Sequence, residues 1–313
     1  MLKIREIISK QGSEEVLKNI KRFLTAIFSN PIVTKEIKQR TRGLKFSFTI
    51  AGWLLLMTLF TIMFLKSYTR SVVVISRYRS FVESFCVFLI FLFAGFFELL
   101  VVILCSQAIA KEKENQTLDI LLSTPLTNFE IVVGKMIAAA GEALILFFSA
   151  VPILVLLYFY GITSMGNILL IMLYVFVIIL FYGSLSLLLS TLIKKGIAAT
   201  VIVVSIVIAS TIFSYFIFVT GAQPFVSNSP QPGKTQNFWN LLSISLSSTF
   251  ALIEFTIVRL NSDMPAFFPY HYKIRGYQIH LIICIVGTIL NIFLSALFLS
   301  PLRRIRIFRR KPN

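Results

Sequence analysis

The sequence predicts an all-α integral membrane protein. Six transmembrane helices are expected, preceded by an amphipathic interfacial helix, with a short helix between spans 2 and 3 and re-entrant outer helices between spans 5 and 6. Three observations carry this. Hydrophobic residues make up 57% of the 313 and charged residues only 14%, with a mean hydropathy of +0.87; a soluble chain is nearer a quarter charged. Several apolar stretches exceed the ~20 residues that cross a bilayer. The net charge of +17 gathers at the ends of those stretches, as positive-inside orientation requires, so the expected partner is a lipid bilayer and not nucleic acid.

The chain divides into a cytoplasmic N-terminal region (1–43), a transmembrane domain (44–300) and a basic cytoplasmic tail (301–313). Residues 1–12 are basic and unpatterned. Val16, Leu17, Ile20, Phe23, Leu24, Ile27 and Phe28 then recur at helical spacing opposite Lys18, Lys21 and Arg22. Such a helix lies in the membrane interface, apolar face down, or packs on a protein partner. Asn30-Pro31 ends it, and a second amphipathic stretch sets Ile32, Val33 and Ile37 against Lys35, Glu36, Lys38 and Arg40. The first thirty residues lack an apolar core of signal-peptide length, so span 1 is expected to direct its own insertion.

The spans fall at about 44–65, 81–108, 134–160, 167–193, 197–220 and 278–300. Pro152 is expected to kink span 3. Residues 66–80 read as a polar loop, and 161–166 and 194–196 as tight turns. The outer region 221–277 holds a Pro/Ser/Asn/Gln-rich stretch, a moderately apolar segment 239–260, and the aromatic cluster Phe267, Phe268, Tyr270, Tyr272 and Tyr277. Charge decides whether 239–260 is a seventh span. With six spans, one side collects eleven Lys and Arg through Lys45, three from the connector, two from the 194–196 turn and six from the tail, against eight on the other side. A seventh span would move the tail outside, against the positive-inside rule. Segment 239–260 is therefore expected to be re-entrant or surface-lying.

The connector at 109–135 is the most informative stretch. Leu118, Leu121 and Leu122 follow i, i+3, i+4 spacing, one apolar stripe on a helix of about two turns. Pro125 stops that helix near Thr124. Thr127 and Glu130 form a capping box for the next helix. A short rigid element clamped between two membrane helices can pass a push from a soluble partner into the membrane.

The string Glu112-Lys113-Glu114, then Thr117-Leu118-Asp119-Ile120-Leu121-Leu122-Ser123-Thr124-Pro125-Leu126, then Gly134-Lys135, resembles the signature of ABC-2 type ABC exporter permeases. The run from Asn30-Pro31 through Lys35-Glu36-Ile37-Lys38 is similar to the opening of many such permeases. The departure is Gln116, where the family usually has glycine. The resemblance implies a pair of permease subunits, as homo- or heterodimer, with the path at their interface and two copies of an ATP-binding subunit below. It implies a coupling helix at Leu118–Thr124, with Glu112, Glu114, Thr117, Leu118, Asp119, Leu121, Leu122, Ser123, Thr124 and Pro125 as the ATPase-coupling residues. It also implies a multi-pass protein of the cell membrane with both termini cytoplasmic. No cofactor is expected in this chain; ATP and Mg belong to the partner.

Two carboxylates lie inside apolar segments. Glu98 is expected either to line a translocation path or to bond a neighbouring helix. Glu142 carries the same two readings, a path-lining carboxylate or a neutral interhelical acid, and is expected to lie close enough to the interface to reach it. Enzyme signals fail: Gly233-Lys234-Thr235 ends like a nucleotide-binding loop, but the earlier glycine position is Asn228. His271 and His280 read as interfacial anchors, and Cys86, Cys105 and Cys284 as packing residues. The alternative from another class is a polytopic sensor or accessory subunit without transport activity.

Overall fold

The computed structural model describes residues 31–70, 75–123, 127–149, 151–159, 163–222, 234–260 and 275–299. The amphipathic stretch 13–28, Thr124, Pro125, Phe267, Phe268, Tyr270, His271, Tyr272 and the basic tail lie outside them. Among the described residues all regular structure is helical. The helices are α1 (Pro31–Thr41), α2 (Leu44–Arg70), α3 (Ile75–Glu114), α4 (Leu118–Leu122), α5 (Asn128–Ser149), α6 (Val151–Phe159), α7 (Met165–Leu192), α8 (Gly196–Ala222), α9 (Lys234–Leu246), α10 (Ser248–Leu260) and α11 (Gly276–Phe298). Six of these, α2, α3, α5, α7, α8 and α11, are long and apolar enough to cross a membrane, which matches the expected number.

The helices depart from the sequence reading in two places, at 66–80 and at the start of span 3, while 234–260 forms the pair of helices expected between spans 5 and 6. The polar stretch 66–80 is helical as far as Arg70 and again from Ile75. As a result α3 runs for 40 residues, about 60 Å at 1.5 Å per residue, twice the hydrocarbon thickness. It carries Lys111 to Glu114 on its last turn and not in a loop. Span 3 begins earlier, at Asn128, and is helical to Ser149 and again over Val151–Phe159 (α6), the stretch that holds Pro152. Segment 234–260 forms two helices meeting at Ser247, whose carbonyl accepts the Ala251 N–H at 3.0 Å.

Helices α3 and α7 form the centre. α3 packs on α5, α7, α8 and α10, and α7 on α3, α8, α10 and α11. Phe93, Phe97, Val101 and Val102 of α3 and Tyr174, Val175, Ile178 and Ile179 of α7 are buried, and the two helices approach at Gly183, where a Cβ would stand 3.4 Å from Val101 Cγ2 and 3.5 Å from Cys105 Sγ. Gly287 lets α11 close on α7, since a Cβ there would stand 2.6 Å from Cε2 of Phe181. One helical turn away, Asn291 donates to the Ser184 hydroxyl at 3.3 Å. Trp53 of α2 stacks on Phe96 at 3.8 Å and meets Phe97 edge-on, which ties the peripheral α2 to α3. Large apolar residues of α2 (Leu55, Leu59), α8 (Ile206, Ile212, Phe213) and α11 (Ile282, Ile289, Phe293) point outward. Such faces suit a lipid surround, where apolar exposure costs nothing.

Candidate functional site

The connector motif is organised by how α3 ends. The Thr117 N–H bonds the Glu112 carbonyl at 2.9 Å and the Gln116 N–H bonds the Lys113 carbonyl at 3.3 Å. This pair of bonds is a Schellman motif, which requires a left-handed residue between them. That residue is Gln116, at φ 58°. Glycine pays no Cβ penalty there, so the position that departs from the family pattern is the one that a glycine fits best. The chain makes the same tight turn without it.

Each residue of Glu112-Lys113-Glu114 then meets a different element. Glu114 Oε2 accepts the Gly196 N–H at 3.1 Å, at the start of α8. Lys113 donates to the carbonyl of Thr191, in the last turn of α7. A carboxylate at a helix N-terminus and an ammonium at a C-terminus both complement the helix dipole, so the pair clamps the α7–α8 turn to the end of α3. Three further hydrogen bonds deepen the clamp. The Ser190 hydroxyl accepts the N–H groups of Ile109 at 3.1 Å and Ala110 at 2.8 Å. Ser106 and Thr200 hydroxyls meet at 2.7 Å.

Glu112 points the other way. Its Oε2 accepts the Thr117 hydroxyl, and its Oε1 lies 3.3 Å from Lys135 Nζ. Lys135 also pairs with Glu36 Oε1 of α1 at 2.8 Å. The lysine is 1% exposed, so its charge depends on these two carboxylates for compensation. Three stretches singled out in the sequence, the Lys35-Glu36 opening, the Glu112 motif and the Gly134-Lys135 pair, therefore meet in one ionic cluster. Sequence reasoning did not select Glu36 and Lys135 as site residues. Their signal was their place within motifs, and spacing along the chain could not show that residues 99 positions apart touch.

Helix α4 sits beneath this cluster. Leu118, Leu121 and Leu122 do share a face, and that face is turned into the bundle. It packs on a buried group of Ala108, Ile109, Ile131, Val132, Met136, Leu187 and Leu299. The outward face carries Asp119, Ser123 and Ile120, the last 69% exposed. Ile120 is the residue that the stripe argument missed, because it counted apolar spacing without fixing which side the bundle occupies. Ser123 closes the helix, its hydroxyl donating to the Ile120 carbonyl at 2.7 Å. The expected capping box starts α5: the Thr127 N–H reaches Glu130 Oε2 at 2.8 Å and the Glu130 N–H reaches Thr127 Oγ1 at 3.3 Å. Thr124 and Pro125 lie outside the described residues.

Glu98 and Glu142 are not part of this arrangement. Glu98 is buried and accepts the Ser248 hydroxyl at 2.9 Å. Ser248 in turn accepts the Tyr182 hydroxyl at 3.2 Å. Glu98 thus joins α3 to the first residue of α10. Glu254 does the same for α11, accepting the Tyr277 N–H at 2.8 Å. Glu142 is half-buried, on a turn of α5 whose Gly141 faces Ile37 of α1. His280 differs from the interfacial anchor expected of it: it is 3% exposed and its Nδ1 meets the Tyr174 hydroxyl at 2.9 Å.

Among the described residues no group of three or more His, Cys, Asp or Glu is placed to hold a metal ion. No curated protein matches the sequence. Residues 30–305 match the family described as ABC-2 family transporter protein, a stretch that contains α1 to α11 and all three members of the ionic cluster. With six membrane-crossing helices and a family match over most of its length, the chain belongs to the ABC-2 transporter family, as a multi-pass membrane permease of an ABC transporter.

Proposed function

We propose that the chain is the permease subunit of an ATP-driven exporter. Two such subunits, identical or related, would enclose the translocation path between them, and two separate ATP-binding subunits would supply ATP and Mg. The side carrying α1, α4 and the 194–196 turn is read as cytoplasmic, because it collects most of the Lys and Arg. This sets both termini inside the cell membrane and α9–α10 on the outer side.

The observation that carries the reading is the construction of α4. A helix of five residues is too short to persist alone. This one is held by the Thr117–Glu112 contacts before it and by three leucines beneath it. It offers outward a charge and a bare isoleucine, a small docking surface with a rigid backing. An ATP-binding subunit that seats this surface in a groove would push on α3 and α5 together. The test is co-purification of the tagged chain with the ATP-binding protein encoded beside it, followed by ATP hydrolysis. A permease captures that protein and changes its turnover. A chain that captures none is a sensor or accessory protein.

A further inference from the structure

We infer that Glu36, Lys135 and Glu112 form an ionic joint that makes α1 and the start of α5 move as one body with the docking helix α4. The inference rests on the proposed docking of an ATP-binding subunit and specifies what that docking moves. A continuous chain of polar contacts leads inward from α4. Thr117, the residue before the helix, donates to Glu112 Oε2. Glu112 Oε1 holds Lys135 Nζ at 3.3 Å, and Lys135 Nζ holds Glu36 Oε1 at 2.8 Å. Each step crosses from one element to another: connector to α3, α3 to α5, α5 to α1.

The apolar contacts at the same level cannot do this alone. The leucine stripe of α4 and the contact of Ile37 with the Gly141 turn are non-directional, and such surfaces slide at little cost. Charge-assisted hydrogen bonds fix distance and direction. One ammonium shared between two carboxylates therefore sets the register of three helices. Because α1 leads through Arg42 and Gly43 directly into α2, the joint steers span 1 as well as spans 2 and 3. The inward face of α1 is used by Val33, Glu36 and Ile37, while Lys35, Lys38 and Arg42 are exposed. Lys135 is thus a positioning residue, acting through the helices that it joins.

A purely structural salt bridge and a transmitting joint differ in one respect. Neutralising all three charges together removes the burial penalty that a single substitution leaves behind, so it restores folding without restoring the directional link. The experiment uses the permease assembled with its ATP-binding subunit in lipid nanodiscs. Lys135→Met alone loses thermal stability. The triple variant Glu36→Gln, Glu112→Gln, Lys135→Met recovers stability and capture of the ATP-binding subunit. Its effect on ATP turnover, relative to that subunit alone, falls about tenfold, as for the loss of one charge-assisted hydrogen bond. Lys135→Arg keeps the effect. Should the triple variant not fold, Glu36→Gln decides, because it leaves Lys135 on Glu112 and is expected to bind normally with part of the same loss. Normal turnover control in the folded triple variant, or in Glu36→Gln if that must decide, overturns the joint and leaves the docking reading intact. Failure of the wild-type chain to capture an ATP-binding subunit removes the docking, and the joint with it.

Discussion

Replacing Ile120 by aspartate separates the two faces of α4. Ile120 is 69% exposed in the isolated chain, so the change alters almost nothing there; exposed substitutions usually fall within about ±0.5 kcal/mol. In a complex that buries the side chain, the substitution forfeits about 1.5–3 kcal/mol of apolar burial, and desolvation of the new carboxylate adds to it. Affinity for the ATP-binding subunit is then expected to fall by roughly 10- to 100-fold. Leu122→Asp should do the reverse. Its side chain packs against the Ile131, Val132 and Met136 group, so the substitution destabilises the permease itself, by roughly 2–3 kcal/mol. The assay pairs thermal unfolding of each purified permease with titration of the ATP-binding subunit. The reasoning is refuted if Ile120→Asp lowers the unfolding temperature as far as Leu122→Asp does, or if it leaves the affinity untouched.

The other predictions concern the frame. Gln116→Gly removes the left-handed strain at φ 58° and is expected to stabilise the protein by about 1 kcal/mol, seen as a higher unfolding temperature; Gln116→Val should lower it. Gly276→Ala would bring a Cβ to 2.5 Å from Cγ2 of Ile244 and 3.1 Å from Glu254 Oε2. Overpacking of this kind costs about 1–3 kcal/mol, and proteolysis of the α9–α10 region should reveal it as earlier cleavage. Glu98→Leu strips the Ser248 hydroxyl of its acceptor and is expected to cost about 1–2 kcal/mol. Glu98→Gln, which still accepts, should unfold close to the wild-type temperature.

Much of the fold was legible because the bilayer imposes a simple rule. The six apolar helices follow from length and composition, and the Thr127–Glu130 cap follows from a local pattern whose partners are three residues apart. What stayed hidden needed knowledge of the neighbours. The spacing of Leu118, Leu121 and Leu122 showed a stripe but not its direction, which is set by Ile131 and Val132 beneath it. The polar run Lys111–Glu114 looked like a break, yet it continues α3, because each of Glu112, Lys113 and Glu114 finds a partner on another helix. Glu36 and Lys135 were visible as motif members, but their pairing is a tertiary fact. Gln116 was noticed as a departure, and only the backbone explains what glycine would have done there.

Site-specific photo-cross-linking tests the central claim most directly. A photoreactive amino acid is placed at Ile120 in one permease and at Val132 in another, and each is irradiated in membranes that also contain the ATP-binding subunit. The account predicts a cross-link to that subunit from position 120, and none from position 132, which is buried inside the bundle. If position 120 gives no cross-link while the protein is folded and inserted, α4 is not a docking surface and the proposed coupling is wrong.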